Sequence, residues 1–324
     1  MFKAVRIHAT GGADALRYED VEVAAPGPGQ VRLRQSAIGL NFIDVYYRTG
    51  VSSLPTMPAV LGVEGAGVVE AVGEGVSEFQ VGDRGAYAGP LGGYAEQRLI
   101  PADRLVKLPD GISDQQAAAM MMQGLTAQYL LRRTYGVKKG DTILVQAAAG
   151  GVGLILCQWA KLLGATVIGT VGSEDKAALA QAHGCDHPII YTREDFVRRV
   201  KEITKSEGVP VVYDSVGKDT FERSLDCLRP LGLMALFGQS SGKVPPVDLT
   251  ILAGKGSLFV TRPTLATYVA KRADLLANAQ ELFEVVKSGA VKIPARQTYK
   301  LADIQQAHRD LEARKTVGST VILP

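Results

Sequence analysis

Residues 142–163 leave this chain few choices of fold. Thr142-Ile143-Leu144-Val145-Gln146 is short, apolar and β-branched, the composition of a buried strand. Ala147-Ala148-Ala149-Gly150-Gly151-Val152-Gly153 follows, and apolar residues then recur at helical spacing from Leu154 until Gly164. The order is strand, tight corner, helix. Ala148-x-Gly150-x-x-Gly153 fits the dinucleotide-binding fingerprint with alanine in its first place. Each position has a mechanical reason to be small. Ala148 lets the strand turn sharply, Gly150 lets backbone approach a pyrophosphate, and Gly153 lets the helix lie close on the sheet. The first turn, with Gly151 and Val152, offers free N–H groups and the positive end of the helix dipole.

From about residue 140 the chain alternates strands and helices, with strands predicted at 142–146, 166–171, 188–191, 210–214, 232–237 and 257–261. That alternation specifies a parallel, doubly wound sheet, whose ligands sit beyond the carboxyl ends of the strands. Those ends are Val171-Gly172-Ser173, Tyr213-Asp214-Ser215-Val216 and Phe237-Gly238-Gln239. Residues 1 to about 110 read differently: short apolar runs at 3–9, 31–38, 65–72 and 94–100 are separated by Pro and Gly clusters. Ser113-Asp114-Gln115-Gln116 is a capping box opening a helix to about Arg132, which Gly124 interrupts as a kink or as the crossing between domains. Helices at 273–288 and 301–314 and a strand at 320–323 close the chain, and this tail is expected to return to the first domain.

Whole-chain properties narrow the class. A length of 324 residues suggests two domains, and 46% hydrophobic with 21% charged residues is ordinary for a protein with full cores. A net charge of +3 gives no argument for nucleic acid or membrane binding. Cys157, Cys185 and Cys227 are odd in number and far apart, which reads as reduced thiols in a cytoplasmic protein. The start moves directly into strand-like alternation with no signal segment. No apolar run approaches the roughly 20 residues that span a bilayer.

The signature Gly140-Asp141-x-x-Leu144-x-x-x-Ala148-Ala149-Gly150-Gly151-x-Gly153-x-x-x-x-Gln158-x-x-Lys161 resembles that of quinone oxidoreductases of the ζ-crystallin type. These belong to the medium-chain dehydrogenase/reductase superfamily. Gly39-Leu40-Asn41-Phe42-Ile43-Asp44, Leu61-Gly62-x-Glu64-x-x-Gly67-x-Val69, Val81-Gly82-Asp83-Arg84, Gly124-Leu125-Thr126-Ala127 and Val260-Thr261-Arg262-Pro263 match further landmarks of that family, so the resemblance covers nearly the whole chain. It implies an α/β protein with a discontinuous, β-rich GroES-like catalytic domain (residues 1–124 and 265–324), a Rossmann domain (125–264), NADPH, and a cleft between the domains.

Zinc members of the superfamily carry ligands on the first domain at positions resembling Asn41 and Gly62-Val63-Glu64, and a cysteine-rich lobe. This chain has no cysteine before Cys157 and no Cys-x-x-Cys, while His8, His183, His187 and His308 are scattered and read as surface or helix-face residues. We expect no metal, since zinc takes about three or four N, S or O ligands.

Folds specific for NAD hold the adenosine ribose with an acid about 20 residues past the glycines. Here Gly169-Thr170-Val171-Gly172-Ser173 carries none; Ser173 can donate to a 2′-phosphate and Lys176 supplies positive charge. Glu174 and Asp175 read as dipole-favoured residues of a first helical turn. The resemblance adds Tyr191 and Arg314 to this phosphate pocket. Around the nicotinamide it implies Asn41 and Thr126 on ribose or carboxamide, Tyr46 facing the acceptor, and Asp44 orienting neighbours. Gly238, Gln239 and Ser240, beside Phe237 and Ser215, lie at the expected nicotinamide position, with Phe259, Val260 and Thr261 presenting backbone to the carboxamide. In relatives the strand at 257–262 pairs with its twofold mate, so a homodimer is expected.

The leading function is therefore metal-free reduction of a small quinone by NADPH. The alternatives are reduction of an enone or alkenal double bond with the same hydride geometry, and a low-turnover NADPH-binding protein with a structural or RNA-binding role. Near-neutral charge and the lack of an RNA-binding motif argue against the last.

Overall fold

A computed structural model describes residues 1–293 and 295–324. The chain forms two compact units, one of Met1–Leu125, Val269–Lys287 and Ile293–Pro324, the other of Thr126–Tyr268 and Ser288–Lys292.

The second unit is built on a six-stranded sheet in which every pairing is parallel. From edge to edge the strands are His187–Ile190, Thr166–Val171, Thr142–Val145, Val209–Asp214, Leu228–Leu236 and Phe259–Thr261. In chain order that is third, second, first, fourth, fifth, sixth, the arrangement of dinucleotide-binding folds. All of Val209–Asp214 is buried, as expected of a strand covered on both faces. Leu144, Ile168, Val212 and Met234 pack with Phe196, Val200 and Leu225 in one core. Each such side chain contributes about 1.5–3 kcal/mol when fully buried.

The first unit holds a seven-stranded sheet around the long strand Gln30–Leu40, which pairs antiparallel with Glu64–Val72, Gln97–Pro101 and the C-terminal strand Ser319–Leu323. A smaller sheet joins Phe2–Ile7 to Arg17–Val21 and Ala59–Val60.

Ser113 caps its helix by accepting from the Gln116 N–H at 3.1 Å, but the expected single helix is broken elsewhere than at Gly124. Helix Asp114–Ala118 stops, and a new one, Met121–Tyr129, starts two residues later and ends in a π-type turn, Leu130–Thr134. Gly124 lies inside the second helix. A Cβ there would come 2.5 Å from Leu282 Cδ1, so glycine serves close packing of helix Arg272–Lys287. The break gives helix Met121–Tyr129 a buried N-terminus whose first N–H groups have no partner within the helix.

Candidate active site

At the corner of the second unit the strand ends at Val145 and helix Gly151–Leu162 begins after Gly150, which has no side-chain cap. The first N–H groups of that helix have no acceptor within it. The residue in left-handed backbone is Ala147, with φ 55°, so the sharp turn falls one position before Ala148. Ala148 is small for another reason: a Cβ on Gly169 of the next strand would already lie 2.5 Å from its methyl. Gly153 is required by close approach, since a Cβ there would overlap the Ala147 carbonyl oxygen and lie 2.8 Å from the Ala148 carbonyl carbon. The helix therefore rests directly on the corner, and among the described residues no side chain caps its first turn. This cradle fits a diphosphate.

A buried polar network, missed in the sequence, holds three strand ends in register. The Thr170 hydroxyl donates to Gln146 Oε1 at 2.5 Å, and Gln146 Nε2 donates to Ser224 Oγ at 3.0 Å. Ser224 and Thr220 donate to Asp214 Oδ2, whose other oxygen accepts from the Val216 and Gly217 N–H groups. The signal available was a polar residue ending each apolar strand.

At the second strand's end a Cβ on Gly172 would lie 3.0 Å from the Tyr191 hydroxyl, so these two residues are neighbours. Ser173 caps helix Glu174–Ala182 through the Lys176 N–H, and Glu174 is ion-paired with Arg193. Ser173, Lys176, Tyr191 and Gly172 thus share one strand end, where Glu174 is engaged by an arginine and Asp175 follows it in the first helical turn. Arg314 belongs to the first unit, exposed, with φ 59°. On the other side of the sheet's switch point the Gly238 and Ser215 backbones touch, a Cβ at 238 lying 2.6 Å from the Ser215 carbonyl oxygen. Phe237 donates its N–H to Asp214 O and Ser240 to Ser215 O. Gln239 follows on the same loop, and Phe259–Thr261 forms the sheet edge with Phe259 60% exposed. Thr126 is buried on helix Met121–Tyr129.

The first unit brings Asn41, Asp44 and Tyr46 together at one short helix, Phe42–Thr49, with Asn41 as its N-cap residue. Asp44 is fully buried, and its Oδ2 accepts from the Asn41 backbone N–H at 2.9 Å and the Tyr94 hydroxyl at 2.9 Å. Burial pushes its carboxyl up to about 7, against the pull of those two donors, and Oδ1 has no partner among the described residues. Tyr46 is half-buried, its ring 5.8 Å from that of Phe42.

Glu64 and His308 complete the cluster. The buried Glu64 carboxyl accepts from Asn41 Nδ2 at 2.6 Å and from the Met122 N–H at 2.8 Å. Burial raises it to about 8 in spite of those bonds. His308, expected on a surface or helix face, is instead fully enclosed. Its Nδ1 lies 3.1 Å from Arg48 Nη1 and its Nε2 3.0 Å from the Tyr94 hydroxyl. Arginine can only donate, so Nδ1 accepts and Nε2–H faces Tyr94, which passes its own proton toward Asp44. Burial, reinforced by the Arg48 charge, holds the imidazole down at about 3. Among the described residues no group of three or more His, Cys, Asp or Glu is placed to hold a metal ion.

A Rossmann unit with a bare-glycine corner and a β-rich unit with a buried polar cluster define a dehydrogenase or reductase that uses a dinucleotide. Residues 27–110 match the alcohol dehydrogenase GroES-like domain, and residues 151–275 match the zinc-binding dehydrogenase family. The chain is 54% identical to a quinone oxidoreductase of Pseudomonas aeruginosa over the full length of both. It is 47% identical to a 2-haloacrylate reductase of a Burkholderia species, covering 100% of this chain and 99% of that one. The crystal structure of Escherichia coli quinone oxidoreductase complexed with NADPH superposes with a TM-score of 0.98 at 48% identity, covering 99% of this chain and 100% of that chain. The protein belongs to the quinone oxidoreductase family of medium-chain dehydrogenases/reductases.

Proposed function

We infer that the protein is an NADPH-dependent quinone reductase. The observation that carries this is the uncapped glycine corner, at the switch point of a sheet with dinucleotide-binding strand order, in a chain matching quinone oxidoreductases end to end. Bound NADPH supplies the hydride; the protein's task is to orient donor and acceptor and to exclude water. The first turn of helix Gly151–Leu162 takes the diphosphate through the N–H groups of Gly151, Val152 and Gly153. Ser173, Lys176 and Tyr191, and by family resemblance Arg314, take the 2′-phosphate. On the same resemblance Asn41 and Thr126 address the nicotinamide ribose or carboxamide, and Tyr46 the acceptor. Lys176→Glu should raise the Kd for NADPH by about tenfold while leaving NADH binding within about twofold, because one phosphate-facing charge is reversed. Unchanged NADPH affinity by fluorescence titration would discard Lys176.

The 2-haloacrylate reductase relative favours a second reading, reduction of an activated C=C bond by the same hydride. Following NADPH absorbance with a panel of quinones and enones separates the two. Oxidation is expected with quinones, and turnover confined to enones would replace the first reading with the second.

A homodimer is supported by the sheet edge. Phe259–Thr261 is the terminal strand, and Phe259 and Val260 are exposed at 60% and 38%. An apolar edge of this kind is normally covered by pairing. Sedimentation should give twice the chain mass, and a single-chain mass at micromolar concentration would contradict this. The three cysteines are free and buried, which fits the reducing cytoplasm. No helix among the described residues is long and apolar enough to cross a membrane.

A further inference from the structure

We propose that Glu64 is a positioning residue for the reductase, clamping the Asn41 amide from one side while Gln123 holds it from the other. The inference rests on the reading that Asn41 addresses the nicotinamide end.

Three separate parts of the first unit are shaped around the Glu64 carboxyl. Gly39, on strand Gln30–Leu40, lacks a side chain where a Cβ would overlap Glu64 Oε2 and the Ala118 carbonyl oxygen. The helix that should run on from Ser113 is interrupted at Ala119-Met120, and the new first turn donates the Met122 N–H to Glu64 Oε1 at 2.8 Å. Asn41 Nδ2 donates to Oε2 at 2.6 Å. Behind Asn41, Gln123 Nε2 donates to Asn41 Oδ1 at 3.3 Å, and the Ser319 hydroxyl donates to Gln123 Oε1.

Asn41 is the N-cap residue of helix Phe42–Thr49, and Asp44 takes its backbone N–H, which fixes the Asn41 backbone beside the clamp. With Glu64 an acceptor at Oε2 and Gln123 a donor at Nε2, only one of the two orientations of the Asn41 amide satisfies both neighbours. One N–H and one lone pair of the amide then remain, in fixed places. A carboxyl oxygen accepts in either protonation state, whereas the amide nitrogen of a glutamine cannot. Glu64→Gln therefore keeps the volume but presents a donor to a donor, or else abandons the Met122 N–H. The relaxed arrangement turns the Asn41 amide over, and Gln123 after it.

The test is a double-mutant cycle on NADPH oxidation with a quinone, using wild type, Glu64→Gln, Asn41→Ala and the double variant. Glu64→Gln should lower kcat/KM by about tenfold to a hundredfold, the range for a misplaced contact group. In the Asn41→Ala background the same change should cost less than about twofold, because the residue it acts through is gone. Equal losses in both backgrounds, or no loss in the first, would overturn the proposal. Should Glu64→Gln fail to fold, Gln123→Met removes the other jaw and is subject to the same two outcomes. A readout independent of turnover is hydrogen exchange of the Asn41 side-chain amide by NMR. Protection is expected in wild type and its loss in Glu64→Gln; equal exchange in the two would defeat the clamp. Wild type that fails to oxidise NADPH with any acceptor would sink the reductase reading, and the exchange measurement would still decide the clamp.

Discussion

Gly153→Ala is expected to raise the Kd for NADPH by about a hundredfold, the penalty typical of a 1 Å misplacement in a binding site. The added methyl meets backbone, the Ala147 carbonyl and the Ala148 carbonyl carbon, so no side-chain rotation can make room. The helix must lift from the corner, carrying its first N–H groups away from the phosphates. Overpacking of this kind also costs about 1–3 kcal/mol of stability. Gly150→Ala makes the informative contrast. Gly150 has φ −77°, open to any residue, and its Cβ would be 3.2 Å from the Ala147 oxygen. It should weaken NADPH binding with little loss of stability, because its methyl would point at the ligand rather than at the fold. Calorimetric titration and thermal unfolding of the two variants check this together. Wild-type affinity in Gly153→Ala would show that the corner does not grip the cofactor.

Arg48→Ala is expected to cost about 1.5–3 kcal/mol of stability, the range for hydrogen bonds to a charged group, because a buried guanidinium is lost while its carboxylate partner Glu312 is 37% exposed. The Arg48 side chain is 2% exposed and grips Glu312 with both terminal nitrogens, at 2.9 and 2.7 Å. It also donates to the Gly11 carbonyl at 3.2 Å and faces His308 Nδ1. Its loss strands the histidine, whose other nitrogen orients Tyr94 against Asp44. Arg48→Lys keeps the charge but not the fork, and should fall between. Urea unfolding measures all three proteins. A loss below about 1 kcal/mol in Arg48→Ala would put this pair among ordinary surface ion pairs and show that Arg48 does not hold the cluster together.

The Rossmann half was legible because its information is local. Strands such as Val209–Asp214 are buried throughout and read as unbroken apolar runs, and the glycines at 150 and 153 answer to atoms within a few residues. Even there the left-handed residue proved to be Ala147, since an alanine-rich stretch does not show which residue takes the strain. The polar cluster of the first unit was only half legible. Asn41, Asp44 and Tyr46 stood out by family resemblance, but Glu64, Tyr94, Arg48 and His308 are joined across 23 to 260 residues of sequence. No spacing rule reaches that far. Of the two readings of Gly124, the kink is not found, since that glycine is there for Leu282 and the break at Ala119-Met120 has no glycine or proline to announce it. The chain does pass from one unit to the other just after it, between Leu125 and Thr126.

Parallel fluorescence titrations of the wild-type protein with NADPH and NADH bear on the whole account. An uncapped glycine corner together with a second strand that ends at Val171-Gly172-Ser173 without an acid predicts one NADPH bound per chain, at least about tenfold tighter than NADH. Failure to bind either nucleotide, or a preference for NADH, would contradict it.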